Sequence, residues 1–108
     1  MSQIFHIAQR QVWETARDTG VPYTMSTRDL TLEQEGFIHC SATMAQVEGV
    51  LSRYYADVQD ELVLLVIDPG LLDAPVRLEP AGDEFFPHIY GPIQPSAVID
   101  VRPLPRTQ

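Results

Sequence analysis

Three histidines each lie in a short hydrophobic stretch of this chain. His6 lies in I-F-H-I-A, His39 in G-F-I-H-C-S and His88 in F-P-H-I-Y-G. Imidazole titrates near neutral pH, forms hydrogen bonds and binds metals, so its repeated placement beside apolar residues indicates a site. One such histidine alone is more often a packed ring than a catalyst. Three on separate segments predict that at least two line a common pocket.

Strand alternation predicts which side chains accompany these histidines. On an extended segment, His39 and Ser41 share one face and Cys40 points to the other. His39 and Cys40 therefore cannot form a catalytic dyad, and Cys40 is expected to be a small core residue. His88 and Tyr90 share a face in the same way.

Two charged residues and a hydroxyl extend this set of candidates. Arg77 and Glu79 lie two apart in V-R-L-E-P, on one face of a predicted strand. Arg77 is a candidate for binding phosphate or carboxylate, and Glu79 for holding a ribose hydroxyl or acting as a base. The alternative for both is an ordinary surface ion pair. Ser41 precedes a predicted helix, where it is either an anion ligand or a capping hydroxyl.

Other catalytic patterns receive less support from the spacing. A zinc site of three histidines and water has a precedent in proteins, but no H-x-H or H-E-x-x-H pair occurs here. No metal ligand is assigned for this reason, and a metal-dependent hydrolase remains the second alternative. G-x-S-x-G and the common glycine-rich phosphate loops are also absent from the sequence.

Composition predicts one acidic domain over residues 1–108. The chain has 15 Asp and Glu against 7 Lys and Arg, a net charge of −8. No basic face is visible for nucleic acid or an anionic membrane, so neither is expected as a partner. A single cysteine excludes an internal disulfide. The start lacks a signal-peptide pattern, and the longest apolar run, residues 62–67, is too short to cross a bilayer. A cytoplasmic protein is expected, and its oligomeric state is not predicted.

The order of predicted elements favours an α+β fold with two main helices. A strand at I-F-H-I-A precedes a helix ended by Gly20, a long loop with one helical turn, and a short strand at G-F-I-H-C-S. A second helix follows from Thr43. L-V-L-L-V-I is predicted to be a central strand, followed by strands at V-R-L-E-P, F-F-P-H-I-Y and A-V-I-D-V-R-P-L. Four residues are expected on the apolar face of the second helix: Val47, Val50, Leu51 and Tyr54.

Several of these segments together resemble a known family. They are I-F-H-I-A, E-G-F-I-H-C-S, E-L-V-L-L-V-I-D-P, V-R-L-E-P and F-P-H-I-Y-G-P-I, which span nearly the whole chain. They are similar to the bacterial family called domain of unknown function 952. The resemblance implies a fold similar to ADP-ribosyltransferases, an α+β arrangement with a split, mixed β-sheet around an NAD-sized cleft. The family itself has no established activity.

The resemblance also implies roles for individual residues. In one branch of the ADP-ribosyltransferases a first-strand histidine holds a ribose, and His6 matches that place. The second strand there carries an aromatic and a small hydroxyl residue before a helix; G-F-I-H-C-S resembles it, with Phe37, His39 and Ser41 as candidates. The late glutamate that polarises the ribose has no counterpart with the usual flanking tyrosine. Glu79 and His88 are the two candidates for that role.

The leading hypothesis is that the chain binds a small-molecule ligand, NAD or a related nucleotide. This nucleotide is also the one candidate cofactor. The expected cleft is lined by His6, His39, Ser41, His88 and Tyr90. His39 or His88 would act as acid or base and Glu79 would orient a ribose hydroxyl, for ADP-ribosyl transfer or glycosidic-bond chemistry. The first alternative is a non-catalytic binding module with structural histidines. Whether the protein is an enzyme stays open at this point.

Overall fold

Two three-stranded sheets form the framework of the fold, and the computed structural model describes it over residues 2–104. The first sheet has the order β1-β3-β6 and the second the order β2-β5-β4. The strands are β1 (Ile4–Gln9), β2 (Ile38–His39), β3 (Leu62–Ile67), β4 (Val76–Ala81), β5 (Glu84–Ile89) and β6 (Val98–Pro103). The helices are α1 (Arg10–Thr19), α2 (Leu32–Glu35) and α3 (Met44–Tyr54), with 3-10 turns at Pro69–Leu71 and Pro95–Ala97.

The split into two sheets agrees with the expectation, but the expected mixed sheet is wrong. Every strand pairing among the described residues is antiparallel. One reason is the short turn between β4 and β5, because Ala81 pairs with Glu84 and so close a reversal can only give antiparallel neighbours. Gly82 in that turn has φ 63°, which a glycine adopts without strain. The two sheets meet where Phe5 and Ser41 exchange backbone hydrogen bonds of 2.8 and 2.7 Å.

Capping residues fix the end of α1 and the start of α3, as predicted. Gly20 closes α1 in the left-handed conformation at φ 72°, and Trp13 and Ala16 on that helix are buried. The hydroxyl of Thr43 opens α3 by accepting a hydrogen bond from the Gln46 backbone N–H at 3.1 Å. The single helical turn expected in the long loop is α2. It has a complete capping box between Thr31 and Gln34.

One position on the predicted apolar face of α3 is wrong. Val47, Val50 and Leu51 are buried as expected, but Tyr54 is exposed. Tyr55 is buried in its place. The reason is that the helix ends at Tyr54, and Tyr55 has left the helical conformation at φ −123°. Helical periodicity therefore no longer decides which ring faces the core.

Strand β3 lies at the centre of the core, as its continuous apolar sequence predicts. All six of its residues are buried, and five of them belong to two apolar clusters. Leu65 and its odd-numbered neighbours pack with α1, while Leu64 packs against the buried face of α3. Among the described residues, no helix is long and apolar enough to cross a membrane.

Candidate functional site

A row of three polar side chains crosses the second sheet. His39 on β2 lies opposite His88 on β5, and Arg77 on β4 lies opposite His88 from the other side. Directly opposed residues of antiparallel strands share a face, so these three side chains point to the same side. The ring centroids of His39 and His88 are 5.4 Å apart.

Three further predicted residues join this row. We call the whole surface the histidine face. It consists of Phe37, His39, Arg77, Glu79, His88 and Tyr90. It includes all three residues predicted to be catalytic and three of the five predicted to bind a ligand. The two others, His6 and Ser41, lie elsewhere.

Glu79 connects two aromatic rings of the histidine face. His88 Nδ1 lies 2.8 Å from Glu79 Oε1, and the hydroxyl of Tyr90 donates to the same oxygen. These bonds, first from Tyr90 and then from His88, hold the pKa of Glu79 below its usual range. The same bond to Glu79 raises the pKa of Tyr90. An ionised carboxylate only accepts hydrogen bonds, so Nδ1 of His88 carries the proton.

The other ring nitrogen of His88 has no partner. Nε2 is buried and makes no hydrogen bond to any described residue. The ring of Phe37 stacks on the His88 ring, with centroids 3.9 Å apart and planes 14° apart. A buried polar atom without a partner is rare because its desolvation is not compensated. It marks the histidine face as different from an ordinary packed surface.

His39 has a half-buried ring in contact with Phe86 and His88. Burial, and after it the electrostatic influence of the neighbouring His88, lowers the pKa of His39 to about 4. The ring is therefore neutral at neutral pH. The backbone N–H of His39 donates to the hydroxyl of Ser26 at 3.3 Å, which the sequence reasoning did not foresee.

His6 packs against the backbone of His39, and the histidine face brings together the rings of the two other histidines. The His6 ring is 2% exposed and both its nitrogens are used. Nδ1 lies 2.7 Å from the carbonyl oxygen of His39, which only accepts, so Nδ1 donates. Nε2 then accepts from the hydroxyl of Tyr23 at 3.0 Å. Alternation along β1 explains this position, because Ile4 and Ala8 on the same face are core residues.

Burial shifts the pKa values of two interior groups, His6 and Cys40. Desolvation lowers the pKa of His6 to about 4, although its bond to the His39 backbone acts in the opposite direction. Cys40 is buried as predicted, and burial raises the pKa of its thiol. Ser41 is also buried, and its backbone joins the two sheets at Phe5. The position of Ser41 fits a structural residue.

Tyr23 is a residue that sequence reasoning missed. It lies in the long loop between α1 and α2, yet it is 3% exposed. Burial raises the pKa of its hydroxyl, which therefore stays protonated and able to donate to His6. The backbone of Tyr23 also pairs with Ile93, which holds this part of the loop in the core. An aromatic residue after a proline was the one available signal, and it did not identify the partner.

One hollow of the described chain lies away from the histidine face. It measures about 870 Å³ and borders α1, with Arg10, Glu14, Tyr23, Asp60 and Glu61 among its lining residues. No predicted site residue lines it. Arg10 is paired there with Glu61 at 3.0 Å, so the main cation of the hollow is already neutralised. Perturbed titratable groups and an unpartnered nitrogen favour the histidine face as the functional site.

The geometry gives the zinc hypothesis no support. Within residues 2–104, no three His, Cys, Asp or Glu side chains are grouped so that they could hold a metal ion. His6 is directed at Tyr23 and a backbone carbonyl, and His88 at Glu79. A three-histidine site would need all of these rings to turn toward one point.

Comparison with known proteins finds relatives with the same fold. The crystal structure of Protein CC0527 from Caulobacter crescentus superposes with a TM-score of 0.79 at 27% sequence identity, over 96% of this chain and 87% of that chain. A double mutant of the same protein gives 0.78 at 28% identity, with the same coverage of both chains. No curated protein matches the sequence. The model of one family, described as a protein of unknown function (DUF952), matches residues 7–101, so the chain belongs to the DUF952 family.

Proposed function

We propose that the histidine face binds a nucleotide of the NAD class, within a fold related to that of ADP-ribosyltransferases. The observation that carries the proposal is the pair of Glu79 and His88, in which Nε2 of His88 has no partner among the described residues, with the ring of His39 5.4 Å from that of His88. The split sheet and the meeting of its halves at Phe5 and Ser41 are compatible with such a fold. A shared fold does not by itself determine function, so the proposal rests on the residues of the histidine face.

The Glu79–His88 pair is suited to proton transfer. A carboxylate that accepts from Nδ1–H leaves the lone pair of a neutral imidazole on Nε2. In glycosidic-bond chemistry, an acceptor hydroxyl or water would attack the anomeric carbon of the ribose. The C–O bond forms, the C–N bond breaks with its electron pair going to the departing base, and Nε2 takes the proton. Glu79 would then stabilise the imidazolium that results.

Arg77 supplies the positive charge that a nucleotide needs. Its guanidinium is exposed and lies 5.3 Å from the centroid of the Tyr90 ring. In a chain with a net charge of −8, a cation beside the candidate acid–base pair offers phosphate oxygens a local partner. The half-buried ring of His39 would contact the sugar or base on the other side of His88.

Titration of NAD, ADP-ribose and AMP, followed by NMR of the three histidine rings, tests the proposal. The resonances of His39 and His88 should shift, while those of His6 should not, because both its nitrogens are occupied. R77Q should weaken ADP-ribose binding about tenfold, the loss of one charge-assisted contact. R53Q, at an exposed arginine of α3, is the matched control. Unchanged His39 and His88 at millimolar ligand would contradict the proposal.

A second function, a non-catalytic binding module, is favoured by one observation. His6 is wholly engaged in structural hydrogen bonds, so at least one of the three histidines needs no catalytic role. The two candidate functions differ in whether a reaction product forms. If NAD shifts His39 and His88 but mass spectrometry finds no cleaved or transferred ADP-ribose after prolonged incubation, the binding module is the correct description.

A further inference from the structure

One edge of the first sheet is open within residues 2–104. Strand β6 pairs with β3 on one side, and no other described residue pairs with its outer side. At the opposite edge of the same sheet, β1 meets the second sheet through Phe5 and Ser41. Residues 100–103 of β6 are all exposed, so no described element covers this part of the strand. An uncovered edge strand is a template on which another strand can pair.

We infer that β6 pairs antiparallel with β6 of a second copy of this chain, about a two-fold axis at Val101. In this register Val101 lies opposite the partner's Val101. Asp100 lies opposite the partner's Arg102, and Arg102 lies opposite the partner's Asp100. Such a symmetric contact closes at two chains. It uses the first sheet, whereas the histidine face is on the second, so the dimer does not depend on the proposed function.

Backbone hydrogen bonds show which groups of β6 face outward. The Leu104 N–H donates to the carbonyl of Leu62 on β3, so Arg102 and Asp100 also direct their backbone groups toward β3. Val101 and Pro103 direct theirs to the open edge. The Val101 N–H donates there to the carboxylate of Asp100 at 2.9 Å, and not to another strand. In the symmetric dimer, the two copies exchange the N–H and carbonyl of Val101 across the axis.

The charges on β6 are complementary to those of a second copy. Asp100 and Arg102 are about half exposed and lie 3.0 Å apart on one face of the strand. In the dimer each carboxylate has its own Arg102 on one side and the partner's Arg102 opposite, so nearest neighbours always differ in sign. Copies with a net charge of −8 repel each other overall, and a contact between them therefore needs local complementarity of this kind. This arrangement selects a second copy as the occupant of the edge.

The other face of β6 adds apolar contact, but the regular part of the strand is short. Val101 is 38% exposed, and Ile99 before it is 47% exposed. The register of β3 against β6 shifts beside Ile99, which leaves this residue without a partner on β3 and bends the strand. At the other end, Pro103 has no N–H to donate to a partner. The buried surface is therefore small, and we expect a weak dimer.

Sedimentation equilibrium of the full chain at physiological salt tests for the dimer. The weight-average mass should rise from that of one chain toward that of two between about 10 μM and 1 mM, as for a small interface. Amide hydrogen exchange at Val101 should slow over the same range, because its N–H becomes part of a strand pair. The mass of a single chain at 1 mM would overturn the inference.

Charge reversal tests the register. D100R and R102D should each weaken dimerisation about tenfold or more, because each places like charges opposite one another at two positions. The double variant D100R/R102D should dimerise within about threefold of wild type, since every charge again faces its opposite. Both residues are exposed, so the monomer should keep its fold. A dimer that ignores the single reversals, or that the double variant does not restore, does not form through β6 in this register.

Mixing the two single variants shows that the charges act between chains. D100R carries two cations on β6 and R102D carries two anions, so an equimolar mixture should form a mixed dimer although each variant alone stays monomeric. D18R and R17D are the matched controls, because they reverse the charges of an exposed ion pair on α1. Each control should dimerise like wild type, and mixing them should change nothing. Failure of D100R and R102D to associate on mixing would contradict the proposed pairing.

Discussion

Glu79 and His88 are joined across β4 and β5 by a hydrogen bond of 2.8 Å, although they are not directly opposed in the sheet. Glu79 lies opposite Phe86, and His88 lies opposite Arg77, so the bond is diagonal. Diagonal neighbours on one face are within reach of long side chains. This geometry lets one carboxylate hold His88 while Tyr90 donates to the same oxygen.

E79Q should change the tautomer of His88. Glutamine carries no charge, and its amide offers a donor as well as an acceptor, so the preference for a proton on Nδ1 weakens. We expect a larger fraction of His88 with the proton on Nε2, measured by nitrogen-15 shifts of the ring. E48Q, at an exposed position of α3, should leave the tautomer unchanged. If E79Q keeps the wild-type shifts, then Glu79 does not control the state of His88.

Y23F should destabilise the protein by about 1–3 kcal/mol, because Nε2 of His6 would be left buried without a donor. Chemical denaturation measures the free energy of unfolding. Y54F is the matched control, since the Tyr54 ring is 59% exposed, and it should stay within about 0.5 kcal/mol of wild type. Equal effects of the two substitutions would show that the Tyr23–His6 bond contributes nothing measurable.

Stability should fall in mild acid because of His6. Its pKa is about 4 in the folded protein against 6.5 for the free side chain, so below about pH 6.5 the unfolded chain takes up a proton that the folded one does not. Stability is therefore lost as the pH falls from the unfolded toward the folded pKa. The loss from His6 alone should be about 2 kcal/mol at about pH 5.

H6N isolates this contribution. Asparagine can still donate to the carbonyl of His39 in place of Nδ1 but does not titrate. Urea unfolding of wild type and H6N across the acid range should give a difference in stability that narrows, or reverses in favour of H6N, as the pH falls. The acidic residues titrate in both proteins and cancel in the comparison. A difference independent of pH would mean that His6 is not buried in its neutral form.

The residues that sequence could place were those governed by local periodicity. Alternation put His39 on the side away from the buried Cys40, and it put His88 with Tyr90, both of which bond to Glu79. It could not say whether a face looks to solvent or to the core, which is why His6 was expected in the cleft and lies in the interior. Burial of a strand face depends on which elements cover it, and that is a property of the whole chain.

Strand pairing decides the rest of the histidine face. The contact of His39 with His88 joins residues 49 positions apart, and no local rule fixes the register of β2 against β5. The same holds for the meeting of Tyr23 with His6, since the loop carrying Tyr23 has no periodicity of its own. Long-range packing therefore created the two features that the sequence did not show: the unpartnered buried nitrogen of His88 and the ring of His6 with both nitrogens bonded.

Two glycines should respond in opposite directions to alanine. A Cβ at Gly91 would lie 2.5 Å from the Cβ of Ala74, closer than two carbon atoms can approach, so G91A must shift the chain next to Tyr90. A Cβ at Gly49, inside α3, would meet only the flexible end of Arg53 at 3.4 Å. G49A should therefore stabilise the protein by about 0.5–1 kcal/mol through helix propensity and reduced freedom of the unfolded chain.

Thermal unfolding and histidine NMR together separate the two effects. G91A should lower the unfolding temperature and move the ring resonances of Tyr90 and His88, because the strained segment adjoins the histidine face. G49A should raise the unfolding temperature and leave those resonances in place. A G91A protein with wild-type stability and spectra would mean that the segment of Ala74 yields freely, and that the wall of the histidine face at Tyr90 is not rigid.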